Sequence, residues 1–447
     1  MDEFTDSPLT MAQRAALSWN YLQSWSDGQK RLHGIIATYW DSSPDCTDPH
    51  VMNHFPVIEG LKILYDRFGC AKYISLAVDY GEFLSESYDR SSKLFRNAWG
   101  DLPGKNTGPV HQSASAGALL DLYSLTSEDR YLSIAVESLK STNDHWPSPL
   151  LNGVANQALK YVQAVVKLKK LSPEDFLVFM PKLHEFRQHL DHLTQPAARG
   201  ALLDQSVYSS MLMTVYEAKC LHGLKALADG DIEKEWALTA INRIVKGIVD
   251  TLYCGNGVFL SHRDYSNGFL GSVIRYTTAA LRRLPWPDGG VLLERARRGL
   301  LKTSCQEATS IGPVWLARLA DLAFALIQVE DCIEEPISGI REEVVRLIAR
   351  KQLPHGGVPN CIGPWITGWH AWERLVCCTR WNAYVFRLFC TLAEEKPDLN
   401  SRHCSTSQWG DAYLELAEDW SRVSCIQKAE KTKLEWRKPS SMVRQES

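Results

Sequence analysis

Apolar residues recur along this chain with the 3.6-residue period of amphipathic helices, and almost nowhere with the period of two that a half-buried strand needs. PVIEGLKILYDRF and AKYISLAVDYGEFLSE predict two helices joined by a tight FGC turn. The same unit returns as HQSASAGALLDLYSL with RYLSIAVESLK, and as VANQALKYVQAVVKL with a helix opened by SPED. It returns again in SVYSSMLMTVYEAKCLHGLKAL, FLGSVIRYTTAALRRL, VWLARLADLAFALIQV and the helix that follows Gln352. A first helix is expected from Thr10 to Trp40, broken at Asp27-Gly28, and a last one in QWGDAYLELAEDWSRV. Thr126 followed three residues on by Asp129 reads as a helix N-terminus. The one strand signal is NGVFLSH, near Asn256.

Two kinds of connection alternate. Long loops precede the first helix of each pair, and short turns of Ser, Asp, Glu and Lys join it to the second. The first helices are apolar or small on most faces, whereas the second are more charged. About seven such hairpins repeat at a spacing near 50 residues. Burial on both sides for one helix and on one face for its partner is what a closed double ring demands. The chain is therefore expected to be all-α, an (α/α)6 or (α/α)7 toroid of helical hairpins. One domain over 1–425 and a Lys- and Glu-rich disordered tail over 426–447 are expected. The alternative architecture is a curved, open helical-repeat scaffold, for which no TPR, HEAT or ankyrin signature is present.

This layout resembles the six-hairpin glycosidase-like superfamily, which includes glycoside hydrolases, polysaccharide lyases and sugar epimerases. The resemblance covers most of the chain and is one of pattern. It implies catalysis at the mouth of the ring, where the long loops enter the inner helices.

Composition adds bounds. A net charge of -3 over 447 residues gives no reason to expect nucleic acid or an anionic membrane as partner. No apolar run approaches the ~18 residues that span a bilayer. The acidic N-terminus has no apolar signal core. Twelve Cys are scattered without a framework, so a cytoplasmic, reducing setting with packed thiols is expected. Fifteen Trp exceed what a core of this size needs, and Trp suits stacking against sugar rings.

Because every long loop precedes an inner helix, all of them surround one opening, and candidate chemistry is read from them. Asp101, Asp204, Asp264, Glu307 and Glu373 are candidate members of the carboxyl pair that glycosidic chemistry requires. His111, His262, Tyr265 and His370 could act as acid and base in a lyase or epimerase, with Arg263 holding a substrate carboxylate. Trp40, Trp99, Trp146, Trp365 and Trp369 would stack on the substrate, and His54, Gln112, Asp204 and His355 would complete the pocket wall. Each of these has a bland alternative as a cap, surface acid or structural hydrogen-bonding group; Asp204 looks like an N-cap and Glu373 lies in a first helical turn.

The stretch from Gln352 to Cys390 is the densest in such side chains, and SHRDYSNG from Ser261 follows. A CysCys pair invites a zinc reading, yet adjacent Cys on a helix diverge by about 100°. Cys305 with Cys377 and Cys378 resembles the zinc site of the β-L-arabinofuranosidase family. However, Thr303 stands where that family has an acid, and its β-sandwich has no counterpart. Packed thiols, no metal and no cofactor are expected. DxDD, DDxxD, P-loop, GxGxxG, HExxH and GxSxG motifs are absent.

The expectation is a cytoplasmic carbohydrate-active enzyme, a hydrolase, lyase or epimerase working by acid/base catalysis on a small saccharide. A cofactor-independent cyclase or isomerase of an apolar metabolite is the second reading, and a non-catalytic helical scaffold the third.

Overall fold

The computed structural model describes residues 54–96, 108–146, 155–193, 214–255, 258–259, 290–292, 294–295, 298, 314–330, 338–352, 358, 361–362 and 379–393. Helix α1 (His54–Phe68) turns into α2 (Ala71–Ser87) through Gly69, whose φ of 64° is left-handed and whose N–H bonds the Tyr65 carbonyl at 2.8 Å. Helix α3 (Pro109–Thr126) opens on a proline, which is pre-organised for a first helical position, and leads into α4 (Asp129–His145). Helix α5 (Ala155–Leu171) passes through a short helix at Pro173–Phe176 and a 3-10 turn to α6 (Met180–Leu193). Helices α7 (Thr214–Asp229), α8 (Lys234–Gly247), α9 (Leu316–Glu330), α10 (Ser338–Arg350) and α11 (Thr379–Leu392) complete the described set.

The odd-numbered helices pack side by side in the order α9, α11, α1, α3, α5, α7, while α2, α4, α8 and α10 pack on their odd-numbered partners. This is an inner ring wrapped by an outer one, the expected (α/α) toroid. FLGSVIRYTTAALRRL, expected between α7 and α9, lies outside the described residues, as do the Thr10–Trp40 helix, the 1–425 boundary and the 426–447 tail.

Burial explains which helix goes where. Helix α3 buries every residue from Gln112 to Ala116 and from Ala118 to Leu122, so it is enclosed on nearly all sides. Its partner α4 buries only Tyr131, Ala135, Val136, Ser138, Leu139 and Thr142, one face at helical spacing. Side-chain bonds between successive hairpins then repeat at one-hairpin separations. Tyr131 donates to Glu82 across 49 residues, Trp236 to Asp191 across 45, and Lys167 to Asp121 across 46. On the far side of the ring, the Arg67 guanidinium of α1 caps α11 by donating to the carbonyls of Cys390 and Ala393.

Two expectations about local structure change. Thr126 does not cap α4: its hydroxyl donates back to the Leu122 carbonyl at 2.9 Å inside α3, and Glu128 is the N-cap. The strand expected near Asn256 is present as β4 (Val258–Phe259) paired with β3 (Tyr253–Gly255). Two further antiparallel pairs carry no sequence signal, β1 (Tyr88–Asp89) with β2 (Leu94–Phe95) and β5 (Val314–Trp315) with β6 (Cys361–Ile362). Each of their strands is two residues long, too short for any periodicity.

Inner helices approach closely where glycine permits. A Cβ on Gly223 of α7 would lie 2.4 Å from the Leu159 Cβ and 2.9 Å from the Leu159 carbonyl oxygen of α5. A Cβ on Gly117 of α3 would meet only the Ala164 Cβ, at 3.9 Å. Gly223→Ala is therefore expected to destabilise the protein by about 1–3 kcal/mol through overpacking against backbone. Gly117→Ala should be neutral or stabilising by up to about 1 kcal/mol, from helix propensity. Chemical denaturation of the two variants side by side checks this, and equal losses would contradict the packing described.

Candidate functional site

The N-terminal ends of the inner helices share one end of the ring, and the residues expected at that mouth fall into three groups. Asp101, His262, Asp264, Tyr265, Glu307, His370, Glu373, Trp40, Trp99, Asp204, Arg263, His355, Trp365 and Trp369 lie outside the described residues, as do Cys305, Cys377 and Cys378. His54, His111 and Gln112 stand at the first turns of α1 and α3. Trp146 caps the C-terminus of α4, half-buried, with the His145 ring edge-on at 4.4 Å.

Two of the described residues make contacts within the scaffold. His54 is fully buried and stacked on Phe83 at 4.3 Å, with Tyr80 edge-on, so it joins α1 to α2. Gln112 is also fully buried. Its Oε1 accepts the Phe95 N–H and its Nε2 donates to the Phe95 carbonyl, both at 2.8 Å. The amide thus acts as a strand partner for β2. His111 keeps a position at the rim, half-buried. Its Nδ1 accepts the Gly108 N–H at 3.0 Å, which leaves the ring proton on Nε2.

The Gln112 arrangement recurs. Asn382, like Gln112 the fourth residue of its inner helix, accepts the Val358 N–H at 2.7 Å and donates to the Val358 carbonyl at 2.9 Å. In both hairpins an amide on the inner helix pins the extended chain that precedes the mouth loop. The β1–β2 turn is fixed further by Asp89, whose carboxylate accepts the Ser91 hydroxyl and then the Ser92 N–H and hydroxyl, holding its pKa at about 2.

Below the rim lies a constellation that the loops do not contain. On several inner helices the partly accessible polar residues recur at helical spacing along one stripe. On α1 that stripe is Glu59, Lys62, Ile63 and Asp66; on α5 it is Lys160, Gln163, Lys167 and Lys170. On α7 it includes Lys219, His222 and Asp229, and on α11 Tyr384, Arg387 and Thr391.

Ion pairs tie the stripes together. Lys167 Nζ sits 2.6 Å from Asp121 Oδ2 and 3.2 Å from the Gly117 carbonyl, joining α5 to α3. Arg387 Nη1 sits 2.7 Å from Glu59 Oε2, joining α11 to α1, and its guanidinium lies over the Phe324 ring of α9 at 5.2 Å. Burial pushes the Asp121 carboxyl upward, opposed by Lys167 and reinforced by Glu59. Burial works against a charged Lys167, but the Asp121 and Glu59 carboxylates outweigh it and hold Lys167 protonated. Lys167 nevertheless keeps 33% of its side chain accessible.

Glu59, Asp121, Lys160 and Lys167 escape a reading confined to loops. Their signal is charge at i, i+3 and i+7 within otherwise apolar helices, as in Glu59-Lys62-Asp66 and Lys160-Gln163-Lys167. Among the described residues no group of three or more His, Cys, Asp or Glu is placed to hold a metal, and no helix is long and apolar enough to cross a membrane.

No protein-family model and no curated protein matches the chain by sequence. Solved structures match in fold. Cellobiose 2-epimerase from Bacillus thermoamylovorans superposes with a TM-score of 0.51 at 10% identity, covering 86% of this chain and 100% of that one. A sugar epimerase from a ruminal bacterium gives 0.50 at 12% identity, covering 86% and 99%. The chain therefore shares the (α/α) toroid fold of these two structures.

Gln112→Leu strands a buried N–H and a buried carbonyl at Phe95, and a loss of about 2 kcal/mol or more is expected in denaturant titrations. Asn382→Leu should cost a similar amount at Val358; loss of less than about 0.5 kcal/mol in both would show that the amides carry no structural load. Asp89 supplies a pH signature. Its folded pKa lies below the ordinary value of 3.8, so its contribution is present above pH 3.8 and disappears as pH falls through about 2. Asp89→Ala should remove that part of the acid dependence, measured as Tm against pH, and an unchanged acid limb would refute the assignment.

Proposed function

We propose that this protein is a carbohydrate-active enzyme, a hydrolase, lyase or epimerase, that binds a small saccharide in the toroid lumen and acts on it by acid/base catalysis. The observation that carries the proposal is the placement of two carboxyl groups of unlike surroundings, Glu59 and Asp121, on adjacent inner helices facing one polar lumen. Acid/base pairs are recognised by environments that separate the two groups. Burial pushes the Asp121 carboxyl upward and Lys167 lies 2.6 Å from it, so the proton of this pair is the one available to be given to substrate. Glu59, held by Arg387, serves as the carboxylate that accepts a proton from water or substrate. His111, with its proton on Nε2, stands at the rim where the substrate enters.

The fold supports this reading, since the two epimerases it resembles are named for reactions on sugars. An apolar-metabolite cyclase is less well supported, because such a pocket would be lined by apolar groups and the described stripes carry Lys, Glu, Asp and Arg. The free thiols of Cys70, Cys220 and Cys390 support a reducing, cytoplasmic setting.

A panel of disaccharides and short oligosaccharides, followed by NMR, tests the proposal by reporting hydrolysis, elimination or epimerisation directly. For any substrate turned over, Asp121→Asn and Glu59→Gln should each lower kcat/KM by about 10²–10⁴-fold while circular dichroism is unchanged. Wild-type activity in both variants would remove these residues from catalysis. Failure of the whole panel to bind or turn over would overturn the saccharide reading.

A further inference from the structure

Lysine is a costly residue to place among buried neighbours unless acceptors meet its ammonium group. On α5, Lys167 is flanked by Ala164, Val165, Val166 and Leu168, all buried. Two acceptors meet it, and both belong to α3, one turn apart: the Asp121 carboxylate at 2.6 Å and the Gly117 carbonyl at 3.2 Å. Small groups line this crossing, since a Cβ on Gly117 would meet only the Ala164 Cβ, at 3.9 Å. The Gly117 carbonyl is part of the helix backbone, so the ammonium is held at two points and does not swing with the carboxylate. Of the two partners the carboxyl is the more enclosed, with 10% of its side chain accessible against 33% for Lys167. Its affinity for a proton is therefore governed by the groups around it more than by solvent.

Helix α3 packs against α1, α2, α4, α5 and β2. The charged groups that bear on the Asp121 carboxyl are Lys167 from α5 and Glu59 and Lys62 from α1, and α2, α4 and β2 add none to these. Burial favours the protonated carboxyl most strongly, Lys167 opposes it, Glu59 adds to it, and Lys62 opposes it more weakly. Lys62 is itself paired with Asp66 at 2.6 Å, so Lys167 is the cation in direct contact. Burial works against the Lys167 charge too, but the Asp121 and Glu59 carboxylates raise its hold on its proton overall. Across the range in which a carboxyl titrates, Lys167 is a fixed charge beside a variable one.

We propose that Lys167 is a positioning residue for the reaction at Asp121, clamping the carboxyl from α5 and steadying the carboxylate left when its proton passes to substrate. This rests on the acid/base reading above and adds to it a residue that need not touch the sugar. In that step the O–H bond of the Asp121 carboxyl breaks and the proton bonds to a substrate oxygen. The electron pair stays on the carboxyl, which then faces the Lys167 ammonium as an ion pair. Negative charge on Asp121 grows through the step, so the ammonium holds the transition state more tightly than the ground state and contributes to kcat. Without it, burial and Glu59 would be opposed by Lys62 alone, and Asp121 would keep its proton to higher pH.

Carbon NMR of the full-length protein, labelled at its aspartate carboxyl carbons and assigned with Asp121→Asn, tests this directly. In Lys167→Gln the Asp121 titration should move up by about one pH unit or more, and in Lys167→Arg, which keeps the charge, by less than about half a unit. Lys167→Met keeps the length of the stem and should show the same rise, which guards against a folding defect peculiar to glutamine. On any saccharide that the wild type turns over, Lys167→Gln should lower kcat about tenfold or more while KM stays within about twofold. The protonated carboxyl is the donor, so activity falls as pH rises through its pKa, and the alkaline limb of the kcat profile should move up with the titration. An Asp121 titration unmoved in both neutral variants overturns the inference, as does an alkaline limb that stays in place while the titration moves. A wild type that turns over no saccharide overturns the saccharide reading, and the titration alone then decides what Lys167 does to Asp121.

Discussion

A helix in a closed ring has one face that nothing can cover. Its two neighbours bury its flanks and the outer layer buries its back, so only the side toward the axis stays open. In this protein that geometric constraint decides where polar groups can live on the inner helices. Polar side chains elsewhere on them need dedicated partners, as Gln112 has in Phe95 and Asn382 in Val358. Charged groups pair between adjacent inner helices, Lys167 with Asp121 and Arg387 with Glu59. The fold and the candidate site are thus two consequences of one packing problem.

The same constraint orders the stability of the protein. Close approach of inner helices needs small residues at the crossing points, as at Gly223 against Leu159 and Gly60 against Phe386. Ring closure needs a tie between α11 and α1, and Arg67 supplies it by capping the α11 C-terminus. The outer helices are stitched on their own account by pairs such as Tyr131 with Glu82 and Tyr88 with Glu137. Many of these bonds lie one hairpin apart along the chain, and the residues that make them recur with the same spacing of about 50 that marks the hairpin repeat.

The architecture is legible in the sequence because it depends on features that survive without sequence identity. Alternating long and short connections, and the contrast between an enclosed α3 and an amphipathic α4, are properties of pattern. The site is less legible for a physical reason. Reading chemistry only from loops assumes that inner helices are wholly apolar, and Glu59 and Lys160 sit in helices whose other residues are mostly apolar. Gln112 and His54 mislead for the opposite reason. A polar residue at the start of an inner helix looks like a rim group, but amide and imidazole are also the groups best able to bridge buried backbone or stack in a core. Only the backbone partner at Phe95 and the ring partner at Phe83 separate those outcomes, and both are brought close by folding.

On this view the lumen, rather than the loop surface alone, is where a ligand meets chemistry. A crystal structure of the protein grown with a short oligosaccharide tests this most directly. Density for a sugar ring within hydrogen-bond distance of Glu59 or Asp121 is the predicted result. A saccharide bound only on the outer surface, with water alone along the axial stripes, would contradict it.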